Sequence, residues 1–195
     1  MCKELGSTVQ RKRRARFFGR FVGDRRGSTA LEFALLALPF ALLVFAILES
    51  CISFAGQEVM ANATDDIARQ LRTGQLRPAD VAGTKLTTLI CAKLAIIVSD
   101  DCANQLLVDL REYPTFADAA TASFKIQSGD VVLMNGTNSQ TFANTPGLAE
   151  TKNMLRVFYK WPVVTDLMAK SMANLSGGRA LHFASVTWQN EPFDN

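Results

Sequence analysis

The sequence has little of the chemistry that enzymes use. Its 195 residues include one histidine, His182, and no segment has the pattern of a glycine-rich phosphate loop, a nucleophile elbow or a zinc site. A histidine in the middle of a predicted strand is more often a hydrogen-bonded structural residue than a catalytic base.

Asp65-Asp66 cannot form an acid/base pair alone, since neighbours on a helix point about 100° apart. Asp100-Asp101, in a predicted loop, is expected to be solvated rather than bound to calcium. We therefore expect no enzymatic activity, no cofactor, no metal centre and no small-molecule substrate.

Charge is absent from Phe33 to Leu48, a run of 16 residues. Glu32 directly precedes this run and lies near the start of a predicted helix that is long enough to enter a membrane. A carboxylate at the centre of a membrane helix costs roughly 2.5–3.5 kcal/mol, so an ionisable residue near such a segment usually has a function. The alternative is an interfacial carboxylate that reaches water.

Basic residues are concentrated before the apolar run. Residues 1–27 carry nine Lys or Arg against two Asp or Glu, a net charge of +7, whereas residues 28–195 have a net charge of −4. A basic flank on one side of a single span predicts a cytoplasmic amino terminus and contact with anionic lipid headgroups. Residues 11–16 also fit a nucleic-acid-binding patch. Membrane topology explains the charges adequately, so we expect no nucleic-acid partner.

The apolar run is predicted to be a retained anchor. A secretory signal has an apolar core of 7–15 residues and ends in a small-x-small cleavage site, which Ser53-Phe54-Ala55 offers only weakly. Leu48-Glu49-Ser50-Cys51 has a partial likeness to a lipoprotein cleavage site. The acidic Glu49 and the long basic leader argue against both alternatives.

The four cysteines separate by predicted compartment. Cys2 lies in the basic leader and Cys51 at the outer end of the apolar run, whereas Cys91 and Cys102 lie in the predicted exported part. Oxidising conditions there permit a disulfide between the last two. A bridge closing so short a loop contributes about 2–3 kcal/mol in the chain-entropy treatment. The alternative is two buried thiols that pack as small hydrophobic side chains.

Apolar periodicity predicts an α+β protein. One helix of roughly 45 residues, about 65 Å long, is expected from Ser28 to a stop at Gly74. A second helix is expected over 79–95, after Pro78. The remaining predicted elements are strands over 105–111, 124–126, 131–134, 153–161 and 179–189, a polar loop over 135–151 and a helix over 165–174. We expect a mostly antiparallel sheet against the long helix. The predicted organisation is a leader (1–27), a membrane and extended helix (28–73) and an exported domain (74–195).

The start of the helix carries a recognisable pattern. Residues 27–35, Gly-Ser-Thr-Ala-Leu-Glu-Phe-Ala-Leu, followed by Pro39 and Glu49, resemble the amino-terminal signature of TadE-like pseudopilins of tight-adherence (Flp) pili. TadF- and TadG-like relatives share the pattern. Residues 156–162 and 190–192 are similar to the same family more weakly. The resemblance implies a pilin-like fold and cleavage between Gly27 and Ser28 by a prepilin peptidase, which makes Glu32 the fifth residue of the mature chain.

The resemblance also implies a function and a location. It identifies a minor pilin or pseudopilin of tight-adherence (type IVc, Flp) pilus assembly and secretion, whose partners are the prepilin peptidase, other Tad assembly proteins and pilins. The chain is expected to cross the inner membrane once, with its carboxyl-terminal domain in the periplasm. Glu32 is expected to set subunit register by pairing with the new Ser28 amine of a neighbouring subunit. The alternative is an unprocessed, single-pass, membrane-anchored periplasmic binding module.

Overall fold

A computed structural model describes residues 28–98 and 101–193. The described residues divide into two compact units between Phe45 and Ala46. Gly27 and the rest of the predicted leader lie outside the described residues.

The long helix is present as predicted. Helix α1 runs from Ser28 to Arg72, 45 residues, and is continuous through Pro39. Gly74 then adopts a φ of +71°, a left-handed conformation that ends helices and that glycine adopts without steric cost. Of the described helices, α1 is the one long and apolar enough to cross a membrane.

The second predicted helix is shorter than expected. The segment 79–95 is divided into a 3-10 turn, Pro78–Asp80, and helix α2, Lys85–Leu94. Gly83, with a φ of +61°, interrupts the backbone between them. The apolar residues Val81, Leu86, Ile90 and Leu94 of this segment are nevertheless buried.

The other elements agree with the sequence in most places. The described part of the chain also contains three short helices, α3 (Cys102–Gln105), α4 (Phe116–Ala120) and α5 (Asp166–Met172), of which the first two do not correspond to a predicted helix. The strands are β1 (Leu106–Tyr113), β2 (Ala122–Gln127), β3 (Asp130–Asn135), β4 (Asn138–Gln140), β5 (Asn144–Thr145), β6 (Lys152–Pro162) and β7 (Arg179–Gln189). The predicted loop over 135–151 is therefore wrong in part, since it contributes β4 and β5.

The strands form two sheets. One has the order β5-β1-β6-β7, in which β5 pairs with β1 in parallel and the other pairs are antiparallel. The other is the antiparallel meander β2-β3-β4. Most pairs are antiparallel, so the predicted α+β, pilin-like arrangement is confirmed.

Both faces of the four-stranded sheet are covered. On one face, α2 and the part of α1 from Met60 to Leu71 pack on apolar side chains of β1, β6 and β7. On the opposite face, Phe158 and Phe183 contact Phe124 of the second sheet, with ring centroids 4.6–5.0 Å apart. The chain after Phe45 therefore has three layers, helix, sheet and sheet, as amphipathic elements require to bury their apolar sides.

A buried ion pair lies within the four-stranded sheet, and its arginine also contacts the second sheet. Arg156 on β6 donates from Nη2 to Asp109 Oδ2 of β1 at 2.8 Å, and both side chains are almost fully buried. Its Nη1 also donates to the carbonyl oxygen of Ser123 on β2 at 3.1 Å. Removing either partner of the pair would leave an uncompensated buried charge, and the bond to Ser123 connects the same guanidinium to the second sheet.

Candidate functional site

The predicted processing and register residues lie at the start of α1. Ser28 is its first residue and Glu32, one turn later, is exposed. Phe33 is 74% exposed, and most large apolar side chains of the run that follows it are exposed as well. Cleavage after Gly27 and pairing by Glu32 stay predictions, because both concern partners or residues outside the described structure.

A line of polar side chains extends along α1 beyond the apolar run. Glu49, Ser53 and Gln57 are four residues apart, so they lie on the same side of the helix. Each contacts a different part of the carboxyl-terminal domain, through Thr165, His182 and Phe183 respectively. We call these three contacts the polar joint.

Glu49 holds the start of α5. Its carboxylate accepts hydrogen bonds from the backbone N–H groups of Val164 and Thr165 and from the Thr165 hydroxyl, the last at 2.5 Å. Thr165 is also the N-cap residue of α5, where its hydroxyl oxygen accepts from the Met168 N–H at 3.4 Å. Negative charge at the start of a helix is favourable, because the first N–H groups have no partner inside the helix.

Ser53 and His182 form a buried polar pair. Ser53 Oγ lies 3.0 Å from His182 Nε2, and the two residues are 5% and 7% exposed. The imidazole also stacks on Trp161, with ring centroids 4.8 Å apart and planes inclined by 19°. Burial lowers the pKa of His182 to about 4, so the ring is neutral at physiological pH.

This serine–histidine pair is structural rather than nucleophilic. A serine nucleophile must present its hydroxyl to a substrate, whereas the Ser53 side chain is enclosed between α1 and β7. The sequence-based interpretation of His182 as a hydrogen-bonded structural residue agrees with this geometry.

Gln57 covers the edge of the four-stranded sheet. Its side-chain amide donates to the carbonyl oxygen of Phe183 at 2.8 Å, and its carbonyl oxygen accepts from the Phe183 N–H at 3.2 Å. Strand β7 ends the sheet order, so these two backbone groups would otherwise face outward. The side chain therefore forms hydrogen bonds with both backbone groups of one residue in an edge strand. Unpaired backbone groups on an edge strand can otherwise pair with a strand of another chain.

Gly56 lets the helix approach the sheet closely. A Cβ atom at this position would lie 2.5 Å from Cζ3 of Trp161, the ring that stacks on His182. Only glycine fits this contact without movement of the indole. The polar joint and the Gly56–Trp161 contact together fix the position of residues 49–57 on the sheet.

The polar joint was not predicted from the sequence, although a signal for it exists. Glu49, Ser53 and Gln57 repeat every four residues on a helix whose neighbouring positions are mostly apolar. That spacing places polar groups on one side of a helix, but it does not distinguish a face in water from a face bonded to a domain.

The predicted disulfide is present in the structure. Cys91 of α2 is bonded to Cys102 of α3, with their Cα atoms 5.8 Å apart and 11 positions apart in sequence. Within residues 28–98 and 101–193, no group of three or more His, Cys, Asp or Glu side chains is placed to hold a metal ion. Cys51 is a free, exposed thiol on α1.

Comparison with known families gives a match to the long helix. Residues 27–69 match the family described as TadE-like protein, so the segment contains Glu32, the apolar run and all three α1 residues of the polar joint. No curated protein and no solved structure matches this chain.

Proposed function

From the TadE-like domain at residues 27–69, we propose that this protein is a minor pilin or pseudopilin of a tight-adherence pilus assembly and secretion apparatus. The observation that carries the proposal is the extent of the match, which covers most of α1 from its first turn. A non-enzymatic role agrees with it, since the buried Ser53–His182 pair serves to hold α1 on the sheet.

The anchor is the part of α1 that follows Glu32. One long apolar helix near the amino terminus supports a single membrane span. The basic residues before it favour, by the positive-inside rule, a cytoplasmic amino terminus and a periplasmic domain after the span. The Cys91–Cys102 disulfide fits a compartment in which disulfides persist.

Processing is proposed at the Gly27–Ser28 bond. The small glycine suits a peptidase cut, and the basic flank holds this bond at the cytoplasmic face. Cleavage leaves a mature chain that begins at Ser28, the first residue of α1, with a new cationic amine one turn before Glu32. In a filament, that amine on one subunit would neutralise Glu32 on the next and so set their register.

Amino-terminal sequencing of the protein purified from membranes tests this proposal. We expect a chain that starts at Ser28 in cells with an active prepilin peptidase, and the full chain when Gly27 is replaced by a bulky residue. A matched control is a bulky replacement of Gly23, also in the leader, which should leave the cut in place.

The second candidate is an unprocessed, membrane-anchored binding module of the periplasm. The exported domain has its own core, two sheets and a disulfide, which would allow such a role. A start at Met1 or Cys2 in cells that contain the peptidase would favour this candidate over the pseudopilin.

A further inference from the structure

We propose that the loop between β6 and α5, with Val164 at its tip, rests in the headgroup boundary of the membrane from which α1 emerges. The loop would then be a second membrane contact besides the helix itself. This inference rests on the proposed membrane anchor, and the experiment below separates its failure from a failure of the anchor.

The loop lies beside the end of the apolar run of α1. Glu49 is the first charged residue after 16 uncharged ones, so it marks the place where the apolar run ends. The 16 uncharged residues from Phe33 to Leu48 span about 24 Å of helix, most of the roughly 30 Å thickness of a bilayer's hydrocarbon core. The Val164 N–H donates directly to the Glu49 carboxylate, so the backbone of Val164 lies at the same boundary.

Apolar side chains around this contact are exposed. Val164 is 84% exposed, whereas its neighbour Val163 packs against the main core. Leu48 and Ile52, beside Glu49 on α1, are 52% and 55% exposed. Apolar side chains from both the loop and the helix therefore face outward at the end of the apolar run, which suits a lipid surface better than water.

The charged groups nearby suit the headgroup region rather than the acyl chains. The Glu49 carboxylate is satisfied by Thr165 and Val164, so a less polar medium on its outer side leaves it with hydrogen-bond donors. Asp166 and Lys170 are exposed on α5 and would need contact with headgroups or water. This mixture of one inserted aliphatic side chain and exposed charges is typical of segments that lie in the interface.

The domain offers a matched control residue. Ile96 is 87% exposed, as aliphatic and as accessible as Val164, and lies in the turn after α2. Lys93 of α2 contacts Asp66 of α1 at 2.5 Å. Asp66 follows Glu49 by 17 residues, which is about 25 Å along the helix. Ile96 is therefore expected to stay in water.

Depth-dependent fluorescence quenching tests the inference in the full chain. Cys2 and Cys51 are replaced by serine, the native disulfide is kept, and one cysteine is introduced by Leu42→Cys, Val164→Cys or Ile96→Cys. Each variant is labelled with an environment-sensitive fluorophore and reconstituted at low density in phosphatidylcholine vesicles. Nitroxide groups are placed on the lipid headgroup or deep in the acyl chain. Iodide serves as the water-soluble quencher.

We expect deep quenching at position 42, headgroup-depth quenching at position 164, and quenching by iodide alone at position 96. The inference is overturned if position 164 behaves like position 96 while position 42 is quenched by lipid, because the anchor then stands and the loop lies in water. A label at 164 shielded from both iodide and lipid would also overturn it, since a second copy of the chain would then cover Val164. If position 42 is not quenched by lipid either, the proposed anchor fails as well.

Discussion

At the scale of single residues, burial keeps His182 neutral. It is enclosed between α1 and the sheet, bonded to Ser53 and stacked on Trp161. Protonation would place a positive charge in this enclosed site, where hydration cannot compensate it. His182, which the sequence analysis interprets as a structural residue, is therefore expected to make the stability of the protein sensitive to acid.

The free energy of unfolding is expected to fall as the pH falls from about 6.5 to about 4. In the unfolded chain the imidazole binds a proton near pH 6.5, whereas in the folded chain its pKa is lowered to about 4. Between these values the unfolded state binds more protons, so acid favours unfolding. The full shift corresponds to a loss of up to about 3 kcal/mol near pH 4. Thermal unfolding of the detergent-solubilised protein across this range measures it.

The control for this prediction is His182→Gln, which does not titrate and still offers a hydrogen-bonding group to Ser53. Its stability is expected to be lower at pH 7 but to change much less between pH 6.5 and pH 4.5. Equal pH dependence in both proteins would show that other groups cause the acid sensitivity.

At the scale of elements, the surroundings of α1 differ along its length. Large apolar residues from Leu31 to Phe45 are mainly exposed, Glu49 to Gln57 make polar contacts with the domain, and Met60 to Leu71 supply its core. The middle part depends on hydrogen bonds and one close approach, so its attachment is sensitive to single substitutions.

Gly56→Ala is expected to destabilise the protein by about 1–3 kcal/mol, because the new methyl group would displace Trp161. Where space allows, alanine stabilises a helix relative to glycine by about 1 kcal/mol. A loss of stability in Gly56→Ala would therefore indicate that the methyl group has no space beside Trp161. Thermal unfolding followed by circular dichroism measures the change.

A double-mutant cycle isolates the contact behind this effect. In a Trp161→Phe background, which shortens the ring that faces Gly56, the alanine substitution should cost less or stabilise the protein. Equal costs in both backgrounds would mean that the Gly56–Trp161 approach does not limit the packing of α1.

At the scale of the whole molecule, Glu32 separates assembly from anchoring. Glu32→Ala extends the uncharged run of α1 towards its start, so membrane insertion should persist or improve. If Glu32 pairs with the Ser28 amine of a neighbour, the variant should be inserted and processed at the normal level but should fail to support pili. The loss has a physical cause, since the amine in the filament would have no counter-charge. Protein level, the amino terminus and pilus output are measured in the same strain.

Glu58→Ala is a suitable control for that strain, because Glu58 is an exposed carboxylate on α1 well beyond the apolar run. It should leave pilus output unchanged. Normal pili in the Glu32→Ala strain would leave Glu32 as an interfacial carboxylate and would limit the family likeness to topology.

The elements that the sequence by itself determined are those with strong local patterns. An apolar run and a repeat of apolar residues every three to four positions predict helix α1, and Gly74 predicts its end. The helix ends at Arg72, two residues before this glycine. Strand β7 follows from alternation over 179–189 after Gly177 and Gly178, and has these bounds in the structure. In these cases neighbouring residues carry the information, so the pattern can be read without knowledge of the fold.

Tertiary structure decided whatever depends on residues far apart in the chain. The contact between Gln57 and Phe183 joins positions 126 residues apart, and the Arg156–Asp109 pair joins positions 47 apart. The short strand β5 has little strand character of its own and forms because β1 offers it a parallel partner. Local sequence shows that Glu49, Ser53 and Gln57 share one side of a helix. Only packing of that helix on the sheet decided that this side meets Thr165, His182 and Phe183 rather than water.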